Sequence, residues 1–425
     1  MSKRVIITGF DGRTHALGWK IKQSPEKPEI FFLPGNAGTV DIGENVSIRD
    51  DDIEKIADFA EEKKVDLTII GPEKALQLGI VDLFRSRGMK IFGPSKAVFG
   101  ATEGSKIAAK RFMAANGIPT ASFRVFRSFE SAQGHLKKHF EKKTEPSVIK
   151  ADGLALGRGV KIARTCEEAE GKLREIFEKR KDPHVLVERY LPGEEVSIHA
   201  LTNGISVDLW PSSQDYKTLN GEMTGGVGAI APVPWVTEKM MASIRQRIVR
   251  KSINMLRQSH GSFVGCLYPG LMWTSQGPNV LEYNFRFGNP EILVYMRLMK
   301  SDPLLLLEAH VDQKKRGLQS QWFPGFACCV VLAAGGYPGN IEDAGMPIEG
   351  IEEAEKIPEV VVFHGATVRD GEGTLRVHHG RVLYVTARGD TLTEARERVY
   401  QAVACIHFEG MQYRDDIGLI TETLR

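Results

Sequence analysis

Two stretches carry residue types from which phosphate chemistry could be built. In the first, residues 146–159, an apolar run at 147–149 delivers Lys150, and Gly153, Gly157 and Gly159 follow before a second apolar run at 160–163. Glycine tolerates positive φ and puts no Cβ in a ligand's way, so such a loop can fold over phosphates and turn several N–H groups toward them. Lys150 adds a positive charge at the strand end. Taken by themselves, the same residues also describe a hairpin with a flexible glycine-rich connection. The second stretch is Val280-Leu281-Glu282-Tyr283-Asn284-Phe285-Arg286-Phe287-Gly288-Asn289-Pro290-Glu291. On a strand, Glu282, Asn284 and Arg286 share one face at period two, while Leu281, Tyr283, Phe285 and Phe287 fill the other. A carboxylate and an amide oxygen two residues apart suit Mg²⁺, which takes few protein oxygens and shares the rest of its octahedron with nucleotide phosphates. Arg286 on that face would meet a phosphoryl group in transfer.

Two further segments could complete such a site. Glu188-Arg189-Tyr190-Leu191-Pro192-Gly193-Glu194-Glu195 is the exit from an apolar strand into an acidic turn. Backbone groups at Arg189, Tyr190 and Leu191 could hold adenine there, with Glu195 on ribose hydroxyls; the alternative is an edge turn carrying surface acids. Ser213-Gln214-Asp215-Tyr216-Lys217 precedes a second flexible loop, Thr224-Gly225-Gly226-Val227-Gly228-Ala229.

The elements that must position these residues follow from the apolar pattern. Strands at 5–8, 30–33, 67–70 and 90–92 alternate with helices from residue 14, over 51–63 and over 75–86. That alternation predicts a doubly wound parallel sheet, whose ligands sit beyond the carboxyl ends of the strands. Three turns fall there: Gly9-Phe10-Asp11-Gly12-Arg13-Thr14-His15, Pro34-Gly35-Asn36-Ala37-Gly38-Thr39 and Gly71-Pro72-Glu73. Each could be no more than a tight βα turn, but their convergence on one edge favours a shared site for a phosphorylated small molecule. None completes a G-x-G-x-x-G fingerprint, which argues against nicotinamide chemistry. Glu103-Gly104-Ser105-Lys106 opens a helix, and a small α+β unit runs from 122 to about 190. From 326 a compact α+β cap is expected, with strands at 327–333, 360–363, 375–377 and 381–387, a helix at 393–406, and no catalytic constellation. The expected division is 1–100, 101–325 with a mobile small lobe at 119–190, and 326–425.

The bulk composition limits the alternatives. A chain of 425 residues is too long for one core. Its formal charge of +2, with both signs interspersed, offers no basic face for nucleic acid and no polybasic tail for a membrane. Apolar runs are strand-sized, far short of the ~20 residues that span a bilayer. The start, Met1-Ser2-Lys3-Arg4, does not read as a signal peptide. Five cysteines, an odd number without metal-ligand spacing, argue against a disulfide framework, and Cys328 and Cys329 read as reduced strand residues. A cytoplasmic protein, monomeric or weakly homodimeric, is expected.

Taken in order, these motifs resemble the glycinamide ribonucleotide synthetase (phosphoribosylamine–glycine ligase) family of the ATP-grasp superfamily. The resemblance covers the whole chain: Gly12-Arg13 with His15-Ala16, Pro34 to Thr39, Gly71-Pro72-Glu73, Ile91 to Pro94, Glu103 to Lys106, Ile149 to Ala155, Ser213-Gln214-Asp215, Thr224-Gly225-Gly226, Gly270-Leu271-Met272, Arg286-Phe287-Gly288 and Ala333 to Gly339. It implies an N-terminal α/β domain, a central two-lobed ATP-grasp fold and a C-terminal α+β domain. It also implies an ADP-forming ligase that uses ATP and Mg²⁺ or Mn²⁺ in purine synthesis, phosphorylates the carboxylate of glycine and lets the amine of 5-phosphoribosylamine attack the acyl phosphate. Lys106, Lys150, Gly153, Gly157, Arg158 and Gly159 would then hold phosphates, and Glu188, Tyr190, Leu191 and Glu195 the adenosine. Glu282 and Asn284 would hold the metal, with Arg286, Lys150, Asp215 and Lys217 catalytic. Gly12, Arg13, His15, Gly35, Asn36, Ala37, Gly38, Glu73, Gly225, Gly226 and Asn289 would contact the other substrates.

The chain departs from the family pattern mainly on the acceptor side. The family's Arg-Glu-His-Ala is Arg13-Thr14-His15-Ala16 here, and its Asp-His-Lys-Arg is Asp215-Tyr216-Lys217-Thr218. Its Gly-Pro-Asn-Thr-Gly-Gly-Met-Gly is Gly221-Glu222-Met223-Thr224-Gly225-Gly226-Val227-Gly228, and its Phe-Gly-Asp-Pro-Glu is Phe287-Gly288-Asn289-Pro290-Glu291. The loop lysine is Arg158, which keeps charge and changes geometry. Thr14 and Asn289 each stand where the family has a carboxylate, so two partners for an amine are missing. Loss of such a buried charged partner weakens binding by about 2–5 kcal/mol. Two enzyme readings follow: a diverged glycine ligase, or a paralogous carboxylate–amine ligase with another amino acid or amine. A non-catalytic nucleotide-binding protein is a third reading, opposed by the retained Lys150, Glu282, Asn284 and Arg286.

Overall fold

The computed structural model describes residues 2–142, 144–154, 159–179, 183–312, 319–339, 341 and 344–419. A five-stranded parallel sheet forms first, in the order Glu44–Asn45, Glu29–Pro34, Arg4–Gly9, Leu67–Ile69, Ile91–Phe92. Val5, Ile6 and Ile7 are wholly buried, as expected of a strand covered on both faces. The helix expected from residue 14 begins two residues earlier, at Gly12–Lys22, because the Asp11 carboxylate caps it by accepting from the Thr14 N–H. The helix expected over 75–86 is two helices, Glu73–Leu78 and Ile80–Ser86. Gly79 separates them at φ +98°, a left-handed conformation that glycine adopts without Cβ strain.

The small lobe is a four-stranded antiparallel sheet in the order Phe123–Phe126, Val185–Arg189, Ser147–Ala151, Val160–Ala163. Helices Phe129–Lys142 and Cys166–Lys179 cover one face, and Leu136, Ile149, Leu173 and Val187 share its own core. Lys150 lies within the strand rather than past its end.

An eight-stranded antiparallel sheet forms the rest of the frame. Its order is Gly277–Asn284, Gly265–Thr274, Glu194–Thr202, Val207–Asp215, Gly228–Ala231, Phe326–Ala333, Arg381–Gly389, Val360–His364. The expected C-terminal cap therefore contributes three strands to a sheet begun by the central segment, through the pairing of Gly228–Ala231 with Phe326–Ala333. Helix Glu291–Leu298, buried at every residue, packs between helix Gly12–Lys22 and the strands Gly228–Ala231, Phe326–Ala333 and Arg381–Gly389. One apolar cluster consequently joins Val5 and Ile7 to Trp210, Tyr295, Phe363 and Tyr384. Each large apolar side chain buried there contributes about 1.5–3 kcal/mol. Cys328 and Cys329 are buried free thiols, and no helix among the described residues is long and apolar enough to cross a membrane.

The strand carrying the expected Glu282, Asn284, Arg286 row ends at Asn284, with a register shift opposite Gly270 and Leu271. Arg286 sits beyond the strand, so its direction is set by its own contacts and not by the pleat.

Candidate functional site

A cavity of about 860 Å³ opens between the small lobe, the eight-stranded sheet and the turns of the parallel sheet. Among the residues expected in a site, Arg13, Glu73, Lys106, Lys150, Gly159, Glu188, Tyr190, Leu191, Glu195, Asp215, Lys217, Gly225, Glu282, Asn284, Arg286 and Asn289 line it. Gly157 and Arg158 lie outside the described residues.

Lys106 stands at the first position of helix Lys106–Ala115, which Ser105 caps, and its Nζ donates to the Gly153 carbonyl at 2.7 Å. Gly153 adopts φ +79° and takes that lysine rather than lining the cavity. Lys150 Nζ lies 3.0 Å from Glu188 Oε1 and donates to the Leu281 carbonyl at 3.3 Å. The other Glu188 oxygen is 2.8 Å from Lys110 Nζ, and the Lys110 and Glu188 side chains are each only 2% exposed. Glu188, expected on the adenosine, is instead committed to two lysines in the cavity wall. Burial pushes Lys110 down to about 8 although Glu188 works to raise it. Lys110 escaped the sequence reading, yet its place one helical turn after Lys106 puts both on one face.

Glu282 faces a ring of cations. Burial favours its neutral form, but Lys217, Lys150, Lys106 and Arg286 outweigh burial and hold the carboxyl at about 2. Lys217 bridges Glu195 at 3.3 Å and Glu282 at 3.8 Å, and these carboxylates keep it protonated against burial. Asn284 Oδ1 accepts from Arg286 Nη2 at 3.1 Å. Arg286 Nε lies 3.2 Å from Glu103 and 3.5 Å from Glu73, and Nη1 reaches the Phe287 carbonyl at 3.3 Å. Burial raises Glu103 to about 7, with Arg286 opposing and Glu73 adding to the rise. Among the described residues no set of three His, Cys, Asp or Glu side chains is arranged around a metal position. An ionised carboxylate next to an amide oxygen nevertheless fits a hard divalent cation that takes its remaining ligands from phosphates.

The end of the cavity near Asn289 gathers residues that sequence reasoning missed. Arg381, from the C-terminal segment expected to hold no catalytic constellation, lines the cavity and donates to the Gly226 carbonyl at 3.1 Å and the Asn289 carbonyl at 2.9 Å. It also donates to the Gly225 carbonyl. Asn289 Nδ2 donates at 3.1 Å both to Asp11 Oδ2 and to the Tyr384 hydroxyl. Tyr268 donates to Glu291. Burial first, then Glu291, raises the Asp215 carboxyl well above its ordinary value. Gly226, at φ +100°, contributes its carbonyl to Arg381 but does not line the cavity.

The turn at 35–38 is placed elsewhere, and its N–H groups are already used. Gly35 N donates to Gly9 O, Asn36 N to Thr39 Oγ1, Ala37 N to Thr367 O and Gly38 N to Asn36 Oδ1. No backbone donor is left there for a phosphate: Asn36, Ala37 and Gly38 pack against His364 and Thr367 of the C-terminal segment, and Gly35 against Gly9 and Asn45. His15 belongs to the same seam: its Nδ1 accepts from His364 N at 2.9 Å, and burial, followed by His364, pushes it down to about 3. Gly12 is glycine for contact, since a Cβ there would stand 2.5 Å from the Tyr384 ring.

A small antiparallel lobe and a larger sheet enclosing a lysine-lined cavity, with an ionised carboxylate and an amide on the far wall, define an ATP-grasp ligase. The wider likeness agrees. The biotin carboxylase domain of the Hydrogenobacter thermophilus 2-oxoglutarate carboxylase shares the fold at TM-score 0.72 and 16% identity, over 97% of this chain and 91% of that one. More narrowly, the chain belongs to the phosphoribosylglycinamide synthetase family: residues 3–99 match its N domain, 104–292 its ATP-grasp (A) domain and 327–420 its C domain. It is 40% identical to the phosphoribosylamine–glycine ligase of Rhodopirellula baltica, across 98% of both chains. The crystal structure of the phosphoribosylamine–glycine ligase of Thermotoga maritima matches at TM-score 0.81 and 34% identity, over 97% of this chain and 99% of that one.

Proposed function

We propose that this protein joins glycine to 5-phosphoribosylamine at the expense of ATP, giving glycinamide ribonucleotide, ADP and phosphate in purine synthesis. The observation that carries the reading is the wall on which Lys106, Lys150, Lys217 and Arg286 surround the ionised Glu282. Such a wall neutralises a triphosphate and stabilises charge on a phosphoryl group in flight, the task that dominates phosphoryl transfer. Lys106 and Lys150 hold phosphates, backbone groups at 189–191 take adenine and Glu195 takes the ribose. Glu282 and Asn284 would hold Mg²⁺ or Mn²⁺, which supplies charge neutralisation between the phosphates. Arg286, positioned by Glu73 and Glu103, meets the γ-phosphoryl group as the amino acid carboxylate attacks it. Asp215 and Lys217 border the resulting acyl phosphate, and Arg13, Glu73, Gly225 and Asn289 the amine that displaces phosphate. The reading carries with it small-molecule substrates only, and a cytoplasmic enzyme that is monomeric or weakly dimeric.

The test is ADP release by the purified protein with ATP, Mg²⁺, freshly generated phosphoribosylamine and glycine, with each omitted in turn and the product weighed by mass spectrometry. The expected result is ADP and glycinamide ribonucleotide only when all are present. Absence of product while ATP still binds would overturn the choice of substrates and favour another amino acid or amine.

A further inference from the structure

We propose that Asp11 recognises the acceptor's amine; the proposal rests on the ligase reading above. Asp11 lines the cavity with its side chain 21% exposed. Its Oδ2 accepts from Arg13 Nη2 at 2.7 Å and from Asn289 Nδ2 at 3.1 Å, and its Oδ1 from Thr14 N at 3.2 Å. The Thr14 hydroxyl lies 3.3 Å from both Asp11 Oδ1 and the Thr8 carbonyl but has a single proton to give, so Oδ1 keeps room for one more donor. Burial opposes ionisation, but Arg13 and Arg381 outweigh it and hold the Asp11 carboxyl below its usual range.

Beside this carboxylate stand two buried polar atoms without a partner. Asn289, 8% exposed, spends both amide protons on Asp11 and Tyr384, which fixes its orientation and leaves Oδ1 unpaired. Arg13, 4% exposed, leaves Nε unpaired. Both atoms are themselves shielded from solvent, so the part-exposed Asp11 carboxylate is the acceptor that a ligand N–H group can reach. Of the two positions where the family pattern has a carboxylate, Asn289 turns a side-chain donor toward Asp11, while Thr14 gives it the backbone N–H of the helix cap. The negative charge missing from those positions is therefore present in the pocket, supplied from Asp11.

Three variants test this: Asp11→Asn, Asn289→Asp and the double exchange. Asparagine caps a helix as well as aspartate, so Asp11→Asn keeps helix Gly12–Lys22. Two assays run in parallel: full turnover with phosphoribosylamine, and trapping of the glycine acyl phosphate by hydroxylamine, which needs no acceptor site. Asp11→Asn is expected to raise KM for phosphoribosylamine about tenfold or more, with hydroxamate formation within about twofold of wild type. Asn289→Asp sets two carboxylates side by side and should weaken the amine similarly, whereas the double exchange reverses the pair and should recover most of the loss. An unchanged amine KM in Asp11→Asn, an equal loss in both assays, or a folded double variant without recovery would each overturn the role of Asp11. A wild-type protein that forms no hydroxamate with glycine would instead overturn the ligase reading on which the proposal rests.

Discussion

Replacing Glu188 by glutamine should destabilise the protein in a pH-dependent way whose sign is fixed by Lys110. Both Glu188 oxygens are engaged, at 2.8 Å to Lys110 and 3.0 Å to Lys150, and the carboxylate and Lys110 are 2% exposed. Glutamine keeps the shape and removes the charge, leaving two ammonium groups against a neutral amide. Breaking a buried pair from one side costs about 3–5 kcal/mol. Lys110 can escape part of that cost by losing its proton. In the wild type burial has brought it to about 8, below its ordinary 10.5, so its contribution to stability grows as pH rises from 8 to 10.5. Without Glu188, which raises it, the folded value falls further, and the gain starts at lower pH. The deficit of the variant is thus full below its own folded value and shrinks as pH climbs toward 8. Each unit by which the loss of Glu188 lowers Lys110 makes the deficit near neutral-acid pH about 1.4 kcal/mol larger than the deficit above pH 8. Urea unfolding of both proteins at about pH 6 and about pH 9 measures it. A deficit under about 1 kcal/mol, or one equal at both pH values, would refute the reasoning.

Other substitutions probe single contacts. Glu282→Ala should abolish metal-dependent ADP release with an unchanged far-ultraviolet circular dichroism spectrum; persistent turnover would remove Glu282 from the metal position. Arg286→Lys cannot reach Glu73, Glu103, Asn284 and the Phe287 carbonyl together, so kcat should fall by about a hundredfold or more while the charge is retained. Gly12→Ala drives a methyl group into the Tyr384 ring, and the melting temperature should drop by the few degrees that about 1–3 kcal/mol of overpacking implies.

The parallel sheet was legible because strands buried on both faces read as short apolar runs between turn residues. Lys150, Glu282, Asn284 and Arg286, singled out by residue type and order, line one cavity. Glycine was where the reading failed. Gly12 and the 35–38 turn look like phosphate turns, yet one admits Tyr384 and the other spends its donors on Gly9, Asn36, Thr39 and Thr367. Periodicity marks where backbone must come close, not what it comes close to. Arg381 and Tyr384 were hidden for a different reason: only the continued sheet brings residues so distant in sequence to Asn289. Nor could the pleat reveal that the strand stops at Asn284, since Phe285 and Phe287 stay buried whether or not the ladder continues.

The uninterrupted eight-stranded sheet also determines how this chain can be cut. Severed at 325, the first part would present Gly228–Ala231 as a bare edge and uncover helix Glu291–Leu298 along one side. The second part would begin with Phe326–Ala333, a strand apolar at nearly every position and deprived of one neighbour. Both edges invite pairing with other copies. Separately expressed halves should therefore precipitate, and co-expressed halves should find each other through that one seam, a split-protein pair joined by main-chain hydrogen bonds.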